Sequence, residues 1–358
     1  MTLRITLLSI KEMETRKQGI PRYIMELYQN LASMQETEDI TIKKFYFQYI
    51  RRLGDALSFE LGSIFNRIDN TDIVHIPTGF FVVHNLPKDT KVVTTVHDVN
   101  PIPMDTKNMI YFLKDRAWRY MALERGIRYN LRVSDAIITN SSQTKKEVIS
   151  LGFDKSKVFV VNSGLDKRFL TAKIKAKKQN SGIFNVGYLG SFAINKNVDL
   201  ILEAAKILRN KINFSIWGAK TYNYQKLYDK VTGIKTVKFM GFAPESEIIN
   251  VYNSFDVFVF PSLYEGFGLP ILEAQALGLP VIIYKYGKIP KEVRKYCFEA
   301  ESPEHMARII ENIKGKGANS ARLKLAAKDV VNKFTWKNTA EKTLSVYMRL
   351  ADKNKNKR

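Results

Sequence analysis

Apolar and polar positions in the first half of the chain switch repeatedly between two periods. Short β-branched runs at 4–10 (RITLLSI), 41–47 (TIKKFYF), 72–77 (DIVHIP), 91–98 (KVVTTVHD), 136–141 (AIITNS) and 158–161 (VFVV) predict strands. Between them, 19–32 (GIPRYIMELYQNLA) and 142–152 (SQTKKEVISLG) carry a helical period, the second capped by Ser141 or Ser142 and stopped by Gly152. Strand followed by helix, repeated, is the pattern of a parallel, doubly wound α/β sheet.

The pattern lapses at 170–182 (LTAKIKAKKQNSG), which is basic and aperiodic, and then restarts. Strands are predicted at 185–190, 214–218, 237–241, 257–262 and 280–284, with helices from 197–208 (NVDLILEAAKIL) and 246–255 (SEIINVYNSF) between them. The chain therefore divides into a first α/β domain at 1–172, a linker at 173–182 and a second α/β domain at 183–334. A terminal helix at 335–350 follows, and the lysine-rich tail at 351–358 is expected to be disordered.

A length of 358 residues suits two domains, and 45% apolar content supports two buried cores. Charge changes the picture more: 57 Lys and Arg against 35 Asp and Glu leave +22. Such a balance favours nucleic acid, an acidic membrane surface or another polyanion, and fits a solvated lysine-rich surface equally well. One cysteine, Cys297, excludes an intrachain disulfide framework, and no Cys/His cluster has zinc spacing. The opening MTLRITLLSI is too short and strand-like for a signal peptide, and no apolar run is long enough to span a bilayer. A cytoplasmic protein, or one on the cytoplasmic face of a membrane, is expected.

Doubly wound sheets bind ligands at the carboxyl ends of their strands, so the strand-to-helix loops are where chemistry is sought. After the 185–190 strand, Lys196 stands just ahead of a helix start, where amides and the helix dipole already favour an anion. After the 257–262 strand comes LYEGFGLPILEAQALG. Gly266 and Gly268 would let the backbone approach a ligand closely. Glu265 precedes them, and Glu273 sits on the following helix, where its carboxylate could accept both hydroxyls of a ribose diol. Each residue also has a plainer reading: a surface lysine, a tight loop, and a first-turn glutamate complementing the helix dipole. In the first half, His97 and Asp98 close a strand, where the plain readings are a histidine held by a backbone carbonyl and a turn former.

Together, GYLGSFAINKNVDLILEAAKIL and VKFMGFAPESEIINVYNSFDVFVFPSLYEGFGLPILEAQALGLPVI resemble the carboxyl-terminal domain of the family-four retaining glycosyltransferases. KQGIPRYIMELYQNLA, TTVHDVNPIP, ITNSSQTKKEVISLGFDKSKVFVVNSGLD and FTWKNTAEKTLSVYMRL are similar to that family's amino-terminal domain and terminal helix, so the resemblance covers nearly the whole chain. It implies a GT-B fold, two Rossmann-like domains facing across a crevice, the first on the acceptor side. It implies Glu273 on the donor ribose, Glu265 beside the donor sugar, and the amides of Gly266, Phe267, Gly268 and Leu269 on sugar and phosphate. His97 and Asp98 would face the crevice, and Lys196 would bind the diphosphate. Gly19 belongs to the loop that in relatives lies beneath the donor phosphates. Most relatives carry an arginine where this chain has Ser191, and Arg22 is the candidate replacement cation.

The resemblance thus implies a retaining hexosyltransferase that uses a nucleotide-diphosphate sugar, GDP-mannose ahead of UDP-glucose. The acceptor would be a glycan or a lipid-linked glycan. No cofactor is expected, and with no Asp-x-Asp pair no metal site is expected either. The segment 107–133, in which arginines alternate with Trp118, Tyr111 and Tyr120, reads as a contact with an anionic membrane or as a core helix with snorkelling arginines. Two alternatives are a nucleic-acid-binding or DNA-modifying protein on the same fold, and an inactive relative that only binds nucleotide sugar. Scattered positive charge without a nucleic-acid motif leaves the first behind.

Overall fold

The computed structural model describes residues 2–10, 19–47, 68–79, 86–99, 125–172, 184–209, 212–220 and 223–355. The expected linker and most of the 107–133 segment lie outside these. Two units emerge: Met1–Gly164 with Trp336–Arg358, and Leu165–Thr335.

Among the described residues the first unit holds six parallel strands, β1 (Leu3–Ile10), β2 (Ile40–Phe47), β3 (Ile73–Ile76), β4 (Lys91–Val96), β5 (Ala136–Thr139) and β6 (Val158–Val160). They are ordered β2-β1-β3-β4-β5-β6, with Leu7 opposite His75 and Val93 opposite Ala136. β3 and β5 are buried at every position, as strands covered on both faces must be. Helix α1 (Ile20–Ala32) buries Tyr23, Ile24, Leu27 and Leu31, one stripe at helical spacing. Helix α2 (125–133) buries Ile127 and Leu131 while Arg125 and Arg132 are exposed, so the described end of the basic segment is an ordinary amphipathic helix. In α3 (Ser142–Ser150) the cap is Ser141, whose hydroxyl oxygen accepts from the Thr144 amide at 3.1 Å.

The last helix, Trp336–Lys355, returns to this unit. Trp336, Ala340, Leu344 and Tyr347 form its apolar stripe and join the cluster containing Ile5, Tyr23, Leu27 and Val93. The tail expected to be disordered is helical as far as Lys355, and lysines in a final turn suit the carbonyl-rich end of the dipole. One buried polar chain crosses this core. His75 contacts the Tyr347 hydroxyl through Nδ1 and Thr95 Oγ1 through Nε2 at 2.7 Å, and Thr95 Oγ1 lies 3.2 Å from the Tyr23 hydroxyl. Each of these buried groups therefore has a partner.

The second unit holds β7 (Asn185–Leu189), β8 (Asn213–Trp217), β9 (Val237–Gly241), β10 (Val257–Phe260), β11 (Val281–Tyr284) and β12 (Phe298–Ala300), parallel and ordered β12-β11-β10-β7-β8-β9. Its helices are α4 (Lys167–Thr171), α5 (Val198–Ile207), α6 (Tyr224–Asp229), α7 (Ile248–Asn253), α8 (Leu269–Ala276), α9 (Lys291–Arg294), α10 (Pro303–Lys316) and α11 (Ser320–Lys333). The strand order reverses between β7 and β10, which places a ligand crevice at their carboxyl ends. Gly187, in the middle of β7, is required by packing: a Cβ there would stand 2.1 Å from the Phe255 ring. Gly187→Ala is expected to cost about 2–3 kcal/mol by overpacking, read as a lower urea midpoint.

The domain boundary falls earlier than the sequence pattern placed it. Residues 165–172 belong to the second unit and not the first. Phe169 is 1% exposed and sets its ring edge-on to Tyr252 at 5.7 Å. Arg168 pairs with Asp166 and Glu245 and donates to the Glu245 carbonyl at 2.7 Å. Glu245 is thereby engaged, and the short turn Glu245–Glu247 has no side-chain cap.

Candidate functional site

The loops after β7 and β10 meet at the carboxyl edge, joined by the Leu263 amide donating to the Asn195 carbonyl at 2.8 Å. That bond brings together residues far apart in the chain. Lys196 closes a single 3-10 turn, Ile194–Lys196, and Asn197 turns left-handed (φ 51°) to start α5. The Lys196 ammonium donates to Glu265 Oε1 at 2.6 Å and lies 5.5 Å over the Phe260 ring. The two side chains are only 19% and 11% exposed, so Lys196 is no solvated surface lysine. Breaking a pair this enclosed would leave one charge withdrawn from water without its partner, so each member depends on the other.

From Glu265 the chain runs through Gly266, half-buried, and Phe267, which turns its ring inward to within 5.8 Å of Phe334. Phe267 can therefore meet a ligand only through its backbone. Gly268 (φ 95°, ψ 46°) stands at the N-cap of α8, left-handed and without a side-chain cap; its carbonyl accepts the Ile271 amide at 3.0 Å and Pro270 brings no N–H, so the first-turn amide that α8 can present to a ligand is that of Leu269. The half-exposed Leu269 opens the helix. The loop is braced from the segment after β11 by the Glu265 amide donating to the Lys288 carbonyl at 3.0 Å and the Lys288 amide donating to the Leu263 carbonyl at 2.8 Å.

Glu273 lies in the second turn of α8, beyond the first-turn position where a glutamate complements the dipole. Its Oε2 accepts the Tyr252 hydroxyl at 2.7 Å. Tyr252, on α7, is fully buried, and burial with the neighbouring carboxylate raises its phenol well above the usual range. The sequence reading missed Tyr252. No short motif links it to a glutamate 21 positions later.

Ser191 has an exposed side chain, while its carbonyl accepts the Tyr188 hydroxyl at 2.6 Å, so the turn that carries it is fixed from the core. Its neutral hydroxyl leaves Lys196 as the cation of the β7 loop.

In the first unit, His97 and Asp98 sit just past the end of β4, both half-buried. His97 Nε2 lies 2.9 Å from the Pro77 carbonyl, and Tyr23 packs edge-on against its ring at 4.6 Å. A carbonyl only accepts, so Nε2 carries the proton and neutral Nδ1 is an acceptor. Burial lowers His97 to about 4 and the deeper His75 to about 3. A histidine held below its unfolded value near 6.5 contributes stability above that pH and loses it as pH falls toward the folded value. The stability gap between wild type and His97→Gln, followed by urea unfolding, should shrink by about 1 kcal/mol per unit between pH 6.5 and 4.5. Gly19 (φ 64°) precedes α1 without a side-chain cap, and Arg22 is half-buried in its first turn.

Two doubly wound parallel sheets, the second with a lysine–glutamate pair and a glycine loop at its switch point, make up the GT-B class of glycosyltransferases. Comparison with known proteins agrees. Residues 35–169 match the model described as Glycosyltransferase Family 4, and 171–330 match Glycosyl transferases group 1. The chain belongs to the family-four glycosyltransferases. It is 24% identical over 299 residues to the O-antigen chain mannosyltransferase B of Escherichia coli, covering 78% of this chain and 75% of that one. An uncharacterized 41.2 kDa protein in the cps region of Klebsiella pneumoniae is 28% identical, over 78% of this chain and 81% of its own. Among solved structures, a sucrose-phosphate synthase from Thermosynechococcus elongatus superposes with a TM-score of 0.71 at 17% identity, over 98% and 99% of the two chains. Anabaena HepE in complex with UDP and glucose does so at 0.64 and 15% identity, over 99% and 100%.

Proposed function

We propose that this glycosyltransferase moves a hexose from a nucleotide-diphosphate sugar, GDP-mannose before UDP-glucose, to a glycan or lipid-linked acceptor with retention at the anomeric carbon. The observation that carries the reading is the loop running from Glu265, paired with Lys196, to Glu273, presented by α8 at the switch point of the second sheet. Glu273 accepts the ribose hydroxyls. Lys196 and the loop amides from Gly266 to Leu269 stabilise the leaving diphosphate as charge develops on it, and such preorganised electrostatics is where most of the rate enhancement is sought. Mannose is supported by the names of similar proteins, the O-antigen mannosyltransferase and the serotype-specific mannosyltransferase WbdA, of whose length the match covers 37%.

Retention follows either from a covalent intermediate on Glu265 or from same-face attack by the acceptor. Glu265 is the weaker nucleophile while its charge is spent on Lys196 at 2.6 Å, which supports same-face attack. The test is calorimetric titration with UDP, GDP, UDP-glucose and GDP-mannose at modest salt and without added metal. Saturable binding to one nucleotide series is expected, and no binding to any of the four refutes the reading.

A further inference from the structure

We propose that Tyr252 is a positioning residue that sets the preference of the donor site for ribose over 2′-deoxyribose by holding the Glu273 carboxylate in one orientation. The inference rests on the assignment of Glu273 to the donor ribose.

Three observations lead to it. First, the Tyr252 hydroxyl has one proton and two acceptors in reach, the Pro270 carbonyl at 3.5 Å and Glu273 Oε2 at 2.7 Å. The short contact, to a charged acceptor, takes the proton. Second, the phenol cannot follow a moving partner. Its ring is caged by Phe258 at 5.3 Å, Phe169 at 5.7 Å and Phe255 at 6.1 Å, all set edge-on, and the residue is fully buried. Third, α7 and α8 are separate helices, so the bond ties Glu273 to a support outside its own element.

An unanchored glutamate has three side-chain torsions and can follow whichever hydroxyl is present. With Oε2 held by the Tyr252 hydroxyl, the carboxylate presents its lone pairs to a vicinal diol at fixed positions. A 2′-deoxy sugar leaves one empty, and a site built around a hydroxyl rejects the analogue that lacks it. Rigidity is what converts the missing hydroxyl into lost affinity.

The experiment compares dissociation constants for GDP, UDP and their 2′-deoxy counterparts on wild type and Tyr252→Phe, with thermal melting to confirm folding. The substitution removes one oxygen and keeps the ring, so the aromatic cage stays filled. Wild type should prefer the ribonucleotide by about tenfold or more, roughly 1.4 kcal/mol or more. In Tyr252→Phe the ribonucleotide should weaken about tenfold while the deoxynucleotide stays within about twofold, so that the ratio approaches one. An unchanged ratio, or an equal fall in both affinities, overturns the proposal and leaves the donor assignment standing. Wild type that binds neither GDP nor UDP, or binds ribo and deoxy forms equally, overturns the ribose assignment itself and the proposal with it.

Discussion

Glu273→Ala should leave a folded protein with no calorimetrically measurable donor binding. The carboxylate is proposed to take two charge-assisted hydrogen bonds from the ribose, each worth about 1.5–3 kcal/mol. Losing roughly 3 kcal/mol weakens the dissociation constant more than a hundredfold. There is a second, smaller effect. Removing the carboxylate orphans the buried Tyr252 hydroxyl, a loss of about 1–3 kcal/mol of stability that the Pro270 carbonyl at 3.5 Å can partly relieve. Glu273→Gln separates the two effects, because an amide oxygen still accepts from Tyr252 while the charge is gone. Its melting temperature should stay near wild type as donor affinity falls. Donor affinity unchanged in Glu273→Ala would remove the ribose assignment.

The Lys196–Glu265 pair leads to an expectation of opposite signs. Glu265 competes with the donor diphosphate for the same ammonium. Glu265→Gln should therefore bind bare nucleoside diphosphate several-fold more tightly, while sugar transfer falls by about 10²–10³ through loss of the group beside the sugar. Lys196→Met should lose transfer by about 10³ and also lose about 2–4 kcal/mol of stability, because a carboxylate 11% exposed is left without its cation. Titrating nucleoside diphosphate into both variants checks the signs. Weaker binding in Glu265→Gln would mean that the pair assists the diphosphate and does not compete with it.

Much of the architecture was legible because parallel strands buried on both faces leave dense β-branched runs. Eleven strands fall where those runs lie, from Leu3–Ile10 to Val281–Tyr284. β12 escaped because Phe298–Ala300 is three residues long with a glutamate at its centre. The start of the second unit was misplaced for a similar reason. α4 is five residues long, and its attachment depends on Phe169 and Arg168 finding partners some eighty positions further on. At the site, Lys196, Glu265 and Glu273 could each be picked from local chemistry. Their partners could not. The Lys196–Glu265 contact spans 69 residues and depends on two loops being hydrogen-bonded together. Tyr252 carries no signal beyond being an aromatic on a short helix. The proton on His97 Nε2 is set by a carbonyl twenty residues earlier.

The path of the chain orders its own assembly. Leu165–Thr335 is continuous, and its core can close as soon as that stretch has left the ribosome. The first unit lacks Trp336, Leu344 and Tyr347 until the chain has been made past them, so the face of α1 bearing Tyr23, Leu27 and Leu31 waits uncovered. At typical elongation rates that wait lasts on the order of ten seconds, during which the earliest-made sheet is the one most in need of a chaperone.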